Sequence, residues 1–214
     1  ILLEQQMSSV LLFADRFVDL QLFGFTFGAS NVLGLNPVTI IIATPIIAAV
    51  IGRYAARGDM VRWSAQYALA FALAASSFIV MTLGAIGIGD GGKVALPYLA
   101  IAICVAAIGD ALIFPRAFVA LSRVSPDSIR GSVSGLWFLV SAIAGYLGGW
   151  LAGFSTSTLE GDATQVAQLS IYIRFFIAIG TSTLLVAGGL WLWRGWLSGE
   201  RVAEAQSGKS VGEG

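Results

Sequence analysis

The chain contains long runs of apolar residues that are separated by short polar segments. A helix needs about 20 mainly apolar residues to cross a hydrocarbon core about 30 Å thick. Each run that meets this length is predicted to form a spanning helix. These runs are residues 32–52, which are the later part of the uncharged stretch 20–52, and residues 63–89, 94–121, 131–154 and 166–193. Residues 1–14 are predicted to be part of one further helix, so the pattern predicts an all-α membrane protein that crosses the bilayer about six times.

Composition agrees with this class and excludes others. Hydrophobic residues make up 57% of the 214 residues and charged residues 11%, whereas a soluble domain has about 25% charged residues. So few charges cannot coat a soluble surface. The formal net charge is +0, so nothing attracts the chain to nucleic acid, and we expect no nucleic-acid partner.

The residue types needed for most enzymatic chemistry are scarce. Histidine is absent and Cys104 is the single cysteine, which excludes a disulfide framework and a histidine or cysteine metal cluster. The glycine-rich segment GIGDGG at residues 87–92 lies between two apolar runs, and it resembles a phosphate-binding loop only in composition. We therefore expect no enzymatic activity, no metal and no cofactor, and Cys104 is interpreted as a small buried apolar residue.

Positive charges predict the orientation, because cytosolic loops are enriched in Lys and Arg. One set of helix ends holds Arg53, Arg57, Arg62, Arg123, Arg130, Arg194 and Arg201, and the other set holds only Arg16 and Lys93. The first set is predicted to be cytosolic, which places both ends of the chain inside a cytoplasmic (inner) membrane. Residues 1–197 are predicted to form the bundle, and residues 198–214 a disordered tail.

Several polar side chains interrupt the apolar runs. An ionised group at mid-bilayer costs about 2.5 to more than 10 kcal/mol, so Asp110 is expected to face a watery cavity or to pair with Arg116 or another helix. Glu4 is either another such group or an interfacial carboxylate. Asn36 precedes a proline, and a helix cap is the alternative to a functional role for it. For Trp137, packing in the core or contact with lipid is the alternative to a functional role.

Small residues recur four apart in the fourth run. The pairs are Gly131 and Gly135, Gly145 and Gly149, and Gly149 and Gly153. Such spacing lets two helix backbones approach closely. Packing within one bundle is the favoured interpretation, and a dimerisation face is the alternative.

Three segments together resemble the proton-coupled oligopeptide transporter (POT) family of the major facilitator superfamily. LLEQQMSSVLLFADRFVD at residues 2–19 resembles the family's seventh helix. LNPVTIIIATPIIAAVIG at residues 35–52 resembles its eighth helix, and GDALIFPRAFVALSRVSPDSIRGSVSGLWFLVSAIAGYLGGWLAG at residues 109–153 resembles its tenth and eleventh helices. The resemblance implies a six-helix bundle that is the C-terminal half of a twelve-helix major facilitator transporter fold.

The resemblance also implies roles for four residues. Glu4 matches a glutamate that alternates between binding a proton and forming a salt bridge with an arginine of the N-terminal half. Asp110 matches a tenth-helix glutamate that attracts the peptide's ammonium group and that pairs with a lysine of the N-terminal half. Asn36 matches an asparagine that helps to hold the peptide's amino terminus. Trp137 matches an aromatic residue that walls a side-chain pocket.

Two features depart from the family pattern. Asp110 is one methylene shorter than the usual glutamate, and Phe114 and Arg116 stand where small or apolar residues are common. Both departures change the pocket that the resemblance implies for a dipeptide.

The expected function is proton-coupled symport of di- and tripeptides, with the proton as coupling ion and the bilayer and an N-terminal six-helix half as partners. Two alternatives remain open. One is a major facilitator transporter of another small solute, and the other is a half-length membrane subunit or assembly protein.

Overall fold

The computed structural model describes residues 5–22, 24–56, 63–87, 92–126, 128–157 and 165–193. This part of the chain forms seven α-helices and four two-residue strands. The helices are α1 (Gln5–Phe17), α2 (Ala29–Leu33), α3 (Leu35–Ala56), α4 (Trp63–Ile86), α5 (Leu96–Val124), α6 (Arg130–Ser157) and α7 (Gln165–Leu192). The strands are β1 (Val18–Asp19), β2 (Gln21–Leu22), β3 (Phe25–Thr26) and β4 (Val94–Ala95). The predicted tail lies outside the described residues.

The long helices follow the apolar runs. Five segments are long and apolar enough to cross a membrane, with lengths from 20 to 26 residues. The helices α4, α5, α6 and α7 begin and end within three residues of the last four predicted runs. The short helix α1 accompanies these five, which confirms the predicted all-α, six-helix membrane fold.

The short strands lie at one end of the bundle, which we call the strand end. β1 pairs in parallel with β4, so that Val18 lies opposite Val94 and Asp19 opposite Ala95. β2 and β3 form an antiparallel hairpin around Gly24, whose φ of 82° is readily adopted only by glycine. The sequence did not predict these strands, because two residues are too few to show an alternating pattern.

Aromatic packing fixes α1 to the rest of the bundle. Phe13 of α1 lies 5.6 Å from Tyr172 and 5.1 Å from Phe176 of α7, measured between ring centroids. Phe17 lies 5.4 Å from Tyr172, and Phe78 of α4 lies 6.0 Å from Phe176. All five side chains are 2% exposed or less, so these rings form the core that joins α1, α4 and α7.

Close backbone contact joins α4 to α5. A Cβ added to Gly109 of α5 would lie 2.9 Å from the carbonyl oxygen of Ala70 in α4. No side chain fits there, so Gly109 permits an approach that any other residue would prevent. α4 also packs along α7, and α3 packs along α5.

The glycines of α6 differ from Gly109. A Cβ added at Gly131, Gly135, Gly149 or Gly153 would meet no atom within 4 Å. The interpretation that this glycine spacing packs against the same bundle is therefore wrong for these four positions within the described chain. The helix contacts α1, α5 and α7 through other residues.

Candidate functional site

The two predicted polar residues Asn36 and Asp110 lie together although 74 residues separate them. The side-chain amide of Asn36 donates a hydrogen bond from Nδ2 to Oδ2 of Asp110 over 3.4 Å. The side chains are buried, with 5% and 8% exposed. A buried carboxylate needs hydrogen-bond donors to replace the water it loses, and Asn36 supplies one of them.

The local sequence explains the position of Asn36. Gly34 ends the short helix α2, and its N–H bonds to the carbonyl oxygens of Ser30 and Asn31. α3 begins at the next residue, so Asn36 lies in its first turn and is not the cap that precedes it. The missing N–H of Pro37 costs nothing in that turn, where backbone N–H groups lack helical partners.

The backbone contact with α4 positions Asp110. It follows Gly109, which touches the backbone of α4. The carboxylate thus projects from a point of α5 that cannot shift towards α4 without a clash. Arg116, the predicted alternative partner of Asp110, has a side chain outside the described set.

A second polar contact joins α3 and α5. The hydroxyl of Thr39 donates to Sγ of Cys104 over 3.4 Å, and Cys104 is partly exposed. Cys104 is therefore not the fully buried apolar residue that the sequence predicted. Nothing in the sequence paired it with Thr39, because the two positions are 65 residues apart.

An aromatic contact joins α5 to α6 beyond Asp110. The ring of Phe118 lies 5.9 Å from that of Trp137 and 5.8 Å from that of Phe138. Asp110, Phe114 and Phe118 are spaced four apart, so they follow one stripe of α5. This spacing was a signal for Phe118 that the sequence analysis did not use, and Phe118 is the residue of this stripe that contacts the partly buried Trp137.

An apolar cleft of about 310 Å³ lies between α3 and α5, on the C-terminal side of Asn36 and of Asp110 in their helices. Its walls are Thr44, Ile47, Ala48, Ile51, Gly52, Ala111, Leu112, Pro115 and Val119. Among the residues that the structure describes, no three His, Cys, Asp or Glu side chains are grouped to hold a metal ion. Glu4 lies outside the described residues, so its distance from Asp110 is not defined.

Comparison with known proteins identifies the family. The profile of the POT family matches residues 1–167, which include the segments of Asn36, Asp110 and Trp137. The chain belongs to the POT family.

Individual relatives agree with the assignment to the POT family. The chain is 30% identical over 187 residues to dipeptide and tripeptide permease A of Citrobacter koseri, a match that covers 87% of this chain and 36% of the relative. It is 28% identical to the permease of the same name from Escherichia coli strain K12, again over 87% of this chain and 37% of the relative. The chain thus spans little more than a third of these permeases, whose names agree with the prediction that it is not an enzyme.

Solved POT structures share the fold. A crystal structure of the peptide transporter POT in complex with sulfate superposes with a TM-score of 0.75 at 22% identity, covering 92% of this chain and 37% of that one. A mutant of the same transporter in complex with alafosfalin gives the same TM-score, identity and coverage of this chain. The chain is therefore a multi-pass membrane protein with the fold of POT transporters.

Proposed function

We propose that this chain is the C-terminal half of a transporter that moves di- and tripeptides together with protons across the cytoplasmic membrane. The observation that carries the proposal is the buried Asn36–Asp110 pair within a bundle of membrane-spanning helices. A buried carboxylate in a membrane is costly and marks a functional site by default. Membership of the POT family and the peptide permeases among its relatives support the same substrate class.

The chemistry of a peptide suits this site. A di- or tripeptide carries an ammonium group at one end and a carboxylate at the other, and it needs an opposite charge for each. Asp110 would receive the ammonium group, and Trp137 with Phe118 would line the space for a side chain. The groups that bind the peptide's carboxylate would come from the other half of the protein.

Two exposed helices support the assignment to a half. In α3 and α6 only 6% of the apolar window is buried within this chain. A partner bundle in the relatives' remaining length would cover part of those faces, and the two halves would rock about a site near mid-membrane. In the proposed topology the arginine-rich loops and both ends of the chain are cytosolic.

The proton is the proposed coupling ion, and no cofactor is part of the proposal. Carboxylates exchange protons most readily when burial disfavours their charged form. Glu4, matched to the exchanging glutamate by resemblance, and Asp110 are the proposed carriers of this step.

The test is uptake of labelled L-alanyl-L-alanine by the full-length protein in liposomes, with and without an inward proton gradient. We expect the gradient to drive accumulation, and we expect Asp110→Asn to reduce uptake at least about tenfold, because a charged partner of the ammonium is lost. The matched control is Asp15→Asn, an exposed carboxylate of α1, which should leave uptake unchanged.

Two results would contradict the proposal. Equal uptake with and without the gradient would overturn proton coupling. Uptake of another solute that unlabelled dipeptide does not inhibit would overturn the substrate class.

A further inference from the structure

A second apolar cleft lies at the strand end, between the α2–α3 segment and the start of α5. Its volume is about 420 Å³, within the range of pockets that hold small ligands. Its apolar walls include Phe27, Val32, Leu35, Leu96, Ala100 and Ile101. Walls of this kind are suited to a hydrocarbon chain, because they offer it contact without hydrogen-bonding groups.

The cleft faces away from the carboxylate of α5. Ile101 of its wall and Asp110 are nine residues apart, and nine steps of about 100° place two side chains on opposite sides of a helix. Ile101 is 52% exposed and Phe27 is 40% exposed, so the cleft is open on the outside of the bundle. The surroundings of such a face in a membrane-spanning bundle are lipid chains.

Two opposite charges share the outer face of the paired strands β1 and β4. Val18 and Val94 are register partners and both are buried. Side chains alternate between the two faces of a strand, so Asp19 after Val18 and Lys93 before Val94 lie on the other face. Both of them are exposed. The strand end thus presents a carboxylate and an ammonium group side by side to its surroundings.

Backbone connections place both charges at one end of the cleft. Leu20 follows Asp19, and its carbonyl oxygen accepts the N–H of the wall residue Phe27 over 2.9 Å. Lys93 precedes the wall residue Leu96 by three residues, which is at most about 11 Å of chain. A headgroup at this end of the cleft is therefore within reach of both charges.

We propose that the cleft holds an acyl chain of one phosphatidylethanolamine molecule, whose phosphate pairs with Lys93 and whose ammonium group pairs with Asp19. This headgroup carries the two charges that complement the pair. Its ammonium also donates hydrogen bonds, which the quaternary ammonium of phosphatidylcholine cannot. In the proposed topology the strand end is outside, so the lipid belongs to the outer leaflet. The inference does not depend on which solute is transported.

The experiment is photocrosslinking of the full-length protein in liposomes. The probe is phosphatidylethanolamine with a diazirine in one acyl chain, and mass spectrometry locates the labelled residues after irradiation. We expect labelling of the cleft walls. Phosphatidylglycerol with the same chain should label them about three- to fivefold less, because it has no ammonium group to form the exposed ion pair with Asp19.

Charge variants test the headgroup contacts. We expect Lys93→Gln to lower labelling of the cleft by both lipids about three- to fivefold. Asp19→Asn should lower labelling by phosphatidylethanolamine to the level of phosphatidylglycerol. The matched controls are Arg16→Gln and Asp15→Asn, which remove exposed charges of α1 near the same end, and they should change neither lipid.

A filling variant tests the chain contact. Ala100→Phe places a ring in the cleft and should abolish labelling of its walls by both lipids. Ala178→Phe, at an exposed position of α7, is the matched control and should leave labelling unchanged. The charge variants alter exposed residues only, so they decide the question even if Ala100→Phe does not fold.

Two results would overturn the proposal. Labelling elsewhere on the protein but not in the cleft would show that another part of the full-length protein covers it. Equal labelling by both lipids that Lys93→Gln leaves unchanged would mean contact with hydrocarbon and no headgroup site. Dipeptide uptake enters neither result, so a failure of the proposed function is distinguishable from a failure of this inference.

Discussion

Helices α3 and α4 are similarly apolar but differ in how much of their surface the bundle covers. The apolar windows of α3 and α4 have mean hydropathies of 2.0 and 2.1, yet 6% of the first is buried and 50% of the second. The window of α5 has a mean hydropathy of 2.1 and is 61% buried, whereas that of α6 has a lower mean hydropathy of 1.4 and is 6% buried. Apolarity therefore indicates that a helix enters a membrane, but not which helices pack together.

Small side chains line the closely packed contact between α4 and α5. Lipid tails are as apolar as leucine, so helices in a membrane associate through close packing and not through the exclusion of water. The buried faces of α4 and α5 are rich in alanine: Ala68, Ala70, Ala74, Ala75, Ala102, Ala106, Ala107 and Ala111. Exposed branched residues such as Ile41 and Ile46 of α3 are suited to contact lipid or another bundle.

The largest expected effect tests this contrast with one substitution in each region. Leu99 of α5 is 0% exposed and Leu139 of α6 is 56% exposed. We expect Leu99→Ala to lower the free energy of unfolding by about 2 to 4 kcal/mol, because it leaves a cavity. Leu139→Ala should change it by less than about 0.5 kcal/mol. Thermal unfolding in detergent measures both, and an equal loss would show that another part of the full-length protein packs on α6.

A pair of glycines sharpens the comparison. Gly109→Ala places a methyl group 2.9 Å from a backbone oxygen, and we expect a loss of about 1 to 3 kcal/mol from overpacking. Gly135→Ala on α6 meets no atom within 4 Å, and alanine favours a helix by up to about 1 kcal/mol. The two changes should thus have opposite signs in the same unfolding assay. A loss at both positions would contradict the open face of α6.

A smaller effect is expected at the contact between α3 and α5. Thr39→Val keeps the shape of the side chain and removes the donor to Cys104, for a loss of about 0.5 to 1 kcal/mol. Thr181→Val, on an exposed position of α7, is the control and should be neutral. If the two Tm values shift equally, the thiol contact contributes nothing to stability.

The smallest expected effect concerns the strand end. Val18 and Val94 are register partners of neighbouring strands, at a spacing that a disulfide can bridge. We expect dipeptide uptake of the Val18→Cys, Val94→Cys double variant to be the same after oxidation and after reduction. Uptake that is lost on oxidation and recovered on reduction would mean that this pairing opens during transport.

The sequence predicted what depends on local composition. The long helices and most of their ends followed from run length, and the family resemblance matched Asn36 and Asp110 to residues that act on the same end of the peptide. The direct bond between Asn36 and Asp110, the thiol contact of Cys104 and the Phe118–Trp137 contact join residues on different helices. Helix rotation determines these contacts, and no local pattern encodes it. Spacing alone also failed to show whether Gly109 or the glycines of α6 face a neighbour.

The pairing of β1 with β4 ties the end of α1 to the start of α5, and Val18 and Val94 are each 1% exposed there. This shared anchor holds the start of α5, so a tilt of α5 with the strand end as its pivot would displace the more distant residues of the helix most. Asp110 lies 15 residues beyond Ala95, about 22 Å along the helix at 1.5 Å per residue. A swing of about 5° around the pivot would carry the carboxylate about 2 Å, while the pivot itself hardly moves. Because Gly109 of α5 already touches the backbone of α4, a tilt of α5 towards α4 that separates Asp110 from Asn36 would have to move α4 as well.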